Sequence, residues 1–379
     1  MPRSKTPRVL HVIQAPTVTG GAEKVAVDLA TGLDRQKYES TFCALGLRKP
    51  PISWRTQELA DAGVPLVELG SSSMKDVRAF RRYRRLIAEG AFDIVHAHLW
   101  DAHVWTAVAI PARSPARFVA HEHTWSFEGN RTRLLFDRRV VAPRAAAFIA
   151  VSQSDARSLA ERVRIPKHKI HYIPNGIEKL SVNGSVDLRT EIGLGEGPIV
   201  TLIAVLRPQK RFDVMIDAFA RVRERVPDAH LLLAGSGGLA DGYRAGLERR
   251  VAELGLGDSV RFLGLRRDVP AILDATDVAC LSSDYEGLPI VLMEYMGAGK
   301  PIVSTAVGGI PELVAHRKEA LLVPRRDPGA LGDAVVELLQ NRELAHQLGA
   351  NARRRQARDY SLTATLRQVE ELYDRLLAR

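Results

Sequence analysis

Two acids eight positions apart, Glu286 and Glu294, frame the segment of this chain best suited to chemistry. Glu286 stands just before Gly287-Leu288-Pro289, and Glu294 lies inside the apolar run that follows. Proline fits the first position of a helix, where its missing N–H costs nothing. The segment therefore reads as a loop over Asp284 to Gly287 and a helix from Pro289 to Ala298, ending at Gly299. Glu286 falls at the helix mouth, and Glu294 about 7.5 Å further in, at about 1.5 Å of rise per residue. The backbone N–H groups of Leu288 and Ile290 and the helix dipole face the mouth and favour a phosphate there. Carboxylates on both sides of a phosphate site suit a ligand with hydroxyls on both sides of a diphosphate, as a nucleotide sugar has. The plainer alternative is one helix-terminal acid and one partly buried Glu.

Three further groups bear polar chemistry. Leu206-Arg207-Pro-Gln-Lys210-Arg211 follows an apolar run, and cations there can neutralise a diphosphate leaving group as it accepts charge; otherwise they are surface cations on a loop. Thr19-Gly20-Gly21-Ala22-Glu23 opens a helix, Ala22 to Leu33, where paired glycines let backbone approach a ligand and offer N–H groups to an anion. A plain strand–helix turn would look the same. Asp93-Ile-Val-His96-Ala-His98 and His121-Glu122-His123-Thr124 end neighbouring strands. Four histidines invite a metal reading, but their spacing fits no usual zinc pattern and no metal is expected.

These groups need elements to hold them. Apolar strand candidates lie at Val9–Gln14, Thr41–Leu45, Pro65–Leu69, Ile94–Ala97, Phe118–His121, Ala147–Val151 and Ile170–Ile173. They continue at Ile199–Leu206, His230–Ala234, Val260–Leu263, Val278–Leu281, Ile302–Ser304 and Ala320–Val323. Helical stretches alternate with them, which predicts parallel sheets covered by helices on both faces. Each half opens with a strand, a turn and a helix, so two doubly wound domains are expected, with ligands at the carboxyl ends of the strands. The break lies near Glu178–Gly197, which is rich in Gly, Ser and Asn. The expected division is 1–178, a linker over 179–198, a second domain over 199–359 and a final amphipathic helix over 360–379. Gly235-Ser-Gly237-Gly238 follows a second strand rather than a first, so it is no dinucleotide fingerprint. No Asp-x-Asp, Walker A loop or zinc spacing occurs.

The stretch Glu286 to Glu312, EGLPIVLMEYMGAGKPIVSTAVGGIPE, resembles the E-x7-E region of retaining GT-B glycosyltransferases of family 4, and the likeness extends weakly over nearly the whole chain. The resemblance implies an α/β, GT-B fold of two Rossmann-like domains facing across a cleft, the first on the acceptor side and the second binding a nucleotide sugar. It implies transfer of a sugar from a UDP- or GDP-sugar to a glycan or lipid-linked acceptor hydroxyl, with anomeric configuration kept, in glycolipid, polysaccharide or cell-envelope glycan synthesis. No cofactor and no metal is implied. Glu286, with Gly287 beside it, would hold the donor sugar, and Glu294 the ribose. Gly21, Leu288 and Ile290 would offer N–H groups to the diphosphate. Lys210 falls on the family's pyrophosphate lysine. The family's usual Arg position is Val205 here, and Arg207, two residues on along an extended strand end, is expected to stand in for it. His123 falls on the histidine that meets the transferred sugar, which leaves His98 and His121 as polar cleft residues. Asn175-Gly176 falls at the hinge, Gly264 with Leu265–Arg267 at the base-binding edge, and Gly308-Gly309 at a second helix start beneath the diphosphate. No covalent nucleophile stands out, and the family's picture is front-face attack with the leaving phosphate taking the acceptor proton.

Composition narrows the setting. With 379 residues, 46% hydrophobic and 26% charged, the chain is that of an ordinary globular protein of two domains. Cys43 and Cys280 sit in apolar runs and read as buried thiols. No apolar run reaches about 18 residues, so no membrane span is expected, and the cytoplasm is the default location. The net charge of +10 lies wholly in residues 1–178, with 27 Lys and Arg against 17 Asp and Glu. The basic helix Lys75 to Ile87, with an apolar stripe at Val77, Phe80, Tyr83 and Ile87, suggests peripheral contact with the inner face of an anionic membrane; cover for a sheet is the alternative. Competing functions are a nucleotide-sugar epimerase, a non-catalytic nucleotide-sugar binder, and a nucleic-acid-binding protein. The last lacks aromatic interleaving and any known module, so no nucleic-acid partner is expected.

Overall fold

Strand runs that are apolar on both faces, such as Ile199-Val-Thr-Leu-Ile203 and Val278-Ala-Cys-Leu281, are what a parallel sheet buried between helices requires. The computed structural model describes residues 6–17, 20–46, 55–111, 113–123, 131–180, 188–236 and 241–378. Thr19, Thr124, Gly237, Gly238 and part of the expected linker lie outside them. The chain divides into two compact units, Met1–Asn175 with Leu362–Arg379, and Gly176–Ser361.

In the first unit seven strands form one parallel sheet in the order β3-β2-β1-β4-β5-β6-β7. They are β1 (Arg8–Ile13), β2 (Glu39–Ala44), β3 (Leu66–Glu68), β4 (Ile94–His98), β5 (Arg117–Glu122), β6 (Ala147–Ala150) and β7 (Ile170–Tyr172). One face packs Leu10, Val12, Val95, Ala97, Phe118 and Ala120 against Tyr83 and Trp105. The other packs Ile13 and Phe42 against Ala26, Val27 and Ala30 of the helix Gly21–Gly32.

In the second unit six strands form a parallel sheet in the order β10-β9-β8-β11-β12-β13. They are β8 (Ile199–Ile203), β9 (His230–Ala234), β10 (Val260–Gly264), β11 (Val278–Leu281), β12 (Ile302–Thr305) and β13 (Leu321–Val323). Every strand expected from the sequence is present. Both sheets reverse direction once, between β1 and β4 and between β8 and β11. The carboxyl ends at such a reversal diverge and leave a crevice for a ligand.

The last helix, Leu362–Leu377, belongs to the first unit. It starts two residues later than the periodicity suggests, because Tyr360 closes the preceding helix, Arg342–Asp359, by donating its N–H to Gln356. It buries Val369, Leu372, Tyr373 and Leu376. Tyr38 Oη donates to Asp374 Oδ1 at 2.5 Å, and Thr365 Oγ1 to the Pro174 carbonyl at 2.9 Å. The basic helix, Val77–Glu89, corrects the expected stripe. Ala79, Tyr83 and Ile87 are buried, Phe80 packs edge-on to Trp105, and Val77 is 58% exposed. Its apolar side covers the sheet, and its arginines face outward. Among the described residues no helix is long and apolar enough to cross a membrane. Cys43 and Cys280 are both buried free thiols, one in each unit, and burial pushes both thiols up.

Candidate active site

The exits of β8 and β11 are neighbours only because these strands pair side by side, with Cys280 in register with Leu202. That pairing brings the 207–211 and 282–287 loops together. Lys210 Nζ lies 2.6 Å from Glu286 Oε1, and Ser283 Oγ donates to the same oxygen at 2.6 Å. Glu286 and Ser283 are buried. The two loops are laced by further bonds: Gln209 Nε2 to the Tyr285 carbonyl at 2.8 Å, Asp284 N–H to the Gln209 carbonyl at 2.9 Å, and Ser282 Oγ to the Lys210 carbonyl at 2.9 Å. Asp284 takes a two-pronged bond from Arg326, which holds its carboxyl below the usual range, helped by Arg211. Ser283, Gln209 and Asp284 have no periodic signal in the sequence, and only the strand order reveals them.

The helix behind Glu286 runs Ile290–Gly297. Pro289 is not its first residue, as the sequence suggested. It sits extended at the cap, with ψ at 122°, and its carbonyl accepts the first helical bonds. Gly287, Leu288 and Ile290 are buried at this start, and Glu294 is half-buried one turn on. Beyond the helix, Gly299 takes a positive φ of 69°. The Gly308–Gly309 turn closes the other side. Gly309 N–H donates to the Gly287 carbonyl at 3.0 Å, and a Cβ on Gly308 would lie 1.7 Å from the Glu286 carbonyl oxygen. Only glycine allows that contact, and it fixes the backbone that carries Glu286.

Arg207 stands apart from this group. The chain leaves β8 after Ile203, and Arg207 N–H folds back onto the Val205 carbonyl at 2.8 Å. The chain therefore bends at Leu206, so Arg207 does not follow Val205 along one side of a strand as expected, and its side chain is exposed. Gly264, at a φ of 65°, receives a 2.7 Å bond on its carbonyl from Gly235 N–H, while Arg266 is held by Glu191 and Asp268.

Gly21 and His123 belong to the first unit. Gly21 is the exposed first residue of its helix. The Glu23 carboxylate folds back over the preceding glycine, close to where a Gly20 Cβ would stand. An anion at that helix start would have to displace it. His123 is buried at the end of β5, and the expectation that His98 and His121 line a cleft is wrong. Both are at most 1% exposed. They stack with His96 and His123 in a block: His96–His98 and His121–His123 ring centroids are 4.3 and 4.2 Å apart. His98 Nδ1 lies 3.0 Å from His123 Nε2, and His96 Nε2 lies 3.1 Å from His121 Nδ1. His96 Nδ1 meets Tyr373 Oη at 2.5 Å. His11 joins from β1, and His103 Nε2 donates to the Ala97 and His121 carbonyls. Sequence reading missed His11 and His103, although a histidine on each of three adjacent strands is the signal. One ring nitrogen each from His98, His121 and His123 lies within 4.8 Å of the others, a spacing an ion could bridge. Glu122, between two of these histidines in sequence, pairs instead with Arg133 at 3.2 Å, and burial pushes its carboxyl up to about 8 against that cation.

Residues 19–179 match the family model described as Glycosyltransferase Family 4, and residues 187–355 match Glycosyl transferases group 1. The chain belongs to the family 4 glycosyltransferases. This glycosyltransferase is 28% identical over 312 residues to the putative glycosyltransferase EpsF of Bacillus subtilis, covering 79% of each chain. It is 32% identical over 201 residues, about half of each chain, to the GDP-mannose-dependent alpha-(1-6)-phosphatidylinositol monomannoside mannosyltransferase of Mycobacterium tuberculosis. Its fold is that of Anabaena Alr3699/HepE, solved in complex with UDP-glucose, at a TM-score of 0.86 and 22% identity over 97% of this chain and 99% of that one. The sucrose-phosphate synthase of Thermosynechococcus elongatus matches at a TM-score of 0.82 and 21% identity, over 98% and 99%. The fold of this enzyme is therefore GT-B, with two Rossmann-like domains.

The imidazole block makes the first unit acid-sensitive. Burial holds His11, His103 and His123 down near about 3, and holds His96, His98 and His121 well below the ordinary 6.5. The rings are neutral when folded and take up protons once the chain unfolds. Stability is therefore complete above about pH 6.5 and is lost as pH falls toward 3, each ring removing up to about 1.4 kcal/mol per pH unit. All four tryptophans, Trp54, Trp100, Trp105 and Trp125, lie in the first unit and report on it. Their fluorescence should show a urea midpoint that holds near pH 7 and drops as pH falls from about 6.5 to pH 5. A flat midpoint over that interval would contradict a neutral buried block.

Proposed function

We propose that this enzyme is a retaining, metal-independent glycosyltransferase that moves a sugar from a UDP- or GDP-sugar to a hydroxyl of a glycan or lipid-linked acceptor. The observation that carries the reading is the Lys210–Glu286 pair, held by Ser283 at the start of the Ile290–Gly297 helix. A lysine beside a helix N-terminus favours the diphosphate, and the carboxylate it leaves on ligand arrival becomes an acceptor for sugar hydroxyls. Lys210, with the N–H groups of Gly21, Leu288 and Ile290, would take the charge of the departing diphosphate, and the outward Arg207 would not replace the family's arginine. Glu294 would accept from the ribose hydroxyls. Glu286, with the Gly287 backbone, would hold one edge of the sugar and His123 the other. The leaving phosphate would take the acceptor proton as the hydroxyl attacks the same face. The choice of donors and acceptors draws on relatives whose names carry GDP-mannose, UDP-Gal and lipid-linked acceptors, and on HepE's complex with UDP-glucose.

The setting proposed is the cytoplasm, with loose attachment to an anionic membrane. Because the apolar side of the Val77–Glu89 helix is covered, attachment would rest on the outward arginines Arg78, Arg81, Arg84 and Arg85, each adding about 1 kcal/mol near such a surface. Vesicles with anionic lipid should bind the enzyme and release it as salt rises. Equal binding to neutral vesicles, or none to either, would return those arginines to a solvated surface.

Kinetics separate the site roles. Lys210→Ala should lower turnover on the order of a hundredfold, with a smaller loss in donor affinity, because the lysine acts most on charge that develops in the transition state. The assay should run unimpaired in EDTA. Near-normal turnover of Lys210→Ala beside a dead Glu286→Ala would place the diphosphate elsewhere, and a tenfold loss in EDTA restored by magnesium would end the metal-free reading. Glu294→Ala should weaken binding of the free nucleoside diphosphate by about 1.5–3 kcal/mol, the worth of a charged acceptor. Unchanged titration calorimetry would remove Glu294 from the ribose.

A further inference from the structure

Two arginines of the second unit hold left-handed backbone, Arg211 at a φ of 51° and Arg326 at 59°. That region is strained for a residue with a Cβ, and glycine takes it freely. Strain of this kind persists only where surrounding contacts enforce it, and it gathers at functional sites. Both side chains converge on one carboxylate. Arg326 Nε and Nη2 donate to Asp284 Oδ1 and Oδ2, each at 2.8 Å, and Arg211 Nη1 reaches Oδ2 at 3.5 Å. Arg211 is anchored in turn by Asp213, at 3.0 and 2.7 Å. Asp284 thereby joins three strand exits. Its own loop follows β11, Arg211 lies in the loop after β8, and Arg326 lies in the loop after β13, past the exit of β12.

Stability does not account for this arrangement. The Arg326 side chain is 54% exposed, and ion pairs open to water contribute little. What distinguishes the contact is where it falls. Arg211 directly follows Lys210, and Asp284 stands two residues before Glu286. In the function proposed above, the Lys210–Glu286 pair opens so that the lysine can meet the diphosphate. The Asp284 carboxylate keeps its own two cations through that exchange.

We propose that Arg211 and Arg326 are positioning residues that clamp Asp284, so that Glu286 keeps its place when Lys210 leaves it for the diphosphate. The inner pair is the one a ligand separates, and the outer contacts stay closed. The proposal rests on the reading that Glu286 holds the donor sugar.

Glycine tests the clamp without threatening the fold, because it suits both backbone positions. Arg211→Gly and Arg326→Gly should leave the melting temperature level or higher. Hydrogen–deuterium exchange of the ligand-free enzyme should quicken over residues 282–288 and stay unchanged in the Arg342–Asp359 helix. Turnover is read as UDP released from UDP-glucose or GDP from GDP-mannose, whichever the unaltered enzyme consumes. It should fall about tenfold in each variant, the scale for a slightly misplaced group, with affinity for the free nucleoside diphosphate unchanged. In an Asp284→Ala background, neither glycine should cost anything further. Unchanged exchange over 282–288 would overturn the proposal, and so would faster exchange spread through the whole second unit. So would full turnover in both glycine variants beside an impaired Glu286→Gln, or an equal loss with and without the Asp284 carboxylate. If Glu286→Gln is fully active, the sugar reading fails, and the exchange alone decides the clamp.

Discussion

The second unit is organised around one ion pair. Lys210 and Glu286 come from loops 76 positions apart, and their 2.6 Å contact exists because β8 and β11 are neighbours at the sheet's reversal. Each supporting feature narrows that geometry. Ser283 fixes the carboxylate, and Thr305 Oγ1 holds the Ser283 carbonyl at 2.8 Å. Gly308 lets a turn lie directly on the Glu286 backbone. Buried ion pairs contribute little net stability, because desolvation cancels most of the attraction. In the function proposed above, the pair is two charges kept in place for a ligand to separate.

The first unit solves the opposite problem. Six imidazoles on or against three adjacent strands are kept neutral by burial; four of them bond in pairs, His96 to His121 and His98 to His123, while His11 only stacks and His103 bonds backbone carbonyls. The last helix completes this arrangement, since Tyr373 ends the His96–His121 chain at 2.5 Å. That helix is itself pinned by Tyr38, and by the Asp34 N–H donating to Glu370 at 2.9 Å. A segment more than 250 positions from β4 thus supplies a partner to the strand beside the expected sugar contact.

The two units carry different electrostatic loads. The excess cations all lie in residues 1–178, yet the buried centre of that unit holds no charge on its histidines. The charge sits on outward arginines such as Arg81, Arg84 and Arg85. In residues 179–379 the totals balance, with 27 Lys and Arg against 27 Asp and Glu, and cations of the second unit are matched locally, as Arg326 is with Asp284 and Arg355 with Glu319.

The sequence by itself determined the strands, their parallel character, the loops that bear Lys210 and Glu286, and the helix that bears Glu294. Those follow from local physics: both-face apolar runs make buried parallel strands, and glycine or proline must interrupt them where the chain turns. It also placed the family's lysine and acids by motif. It could not say which strand lies beside which, because strand order is set by packing among distant segments. For that reason Ser283 and Gln209 as supports, the turn that sends Arg207 outward, and the joining of His11, His96, His98, His121 and His123 into one block were decided only by the tertiary structure. His98 shows the difference most directly. Two positions from His96 on an exposed strand end, it would be a polar cleft residue; with β1 and β5 on either side of its strand it is fully buried and takes His123 as its partner.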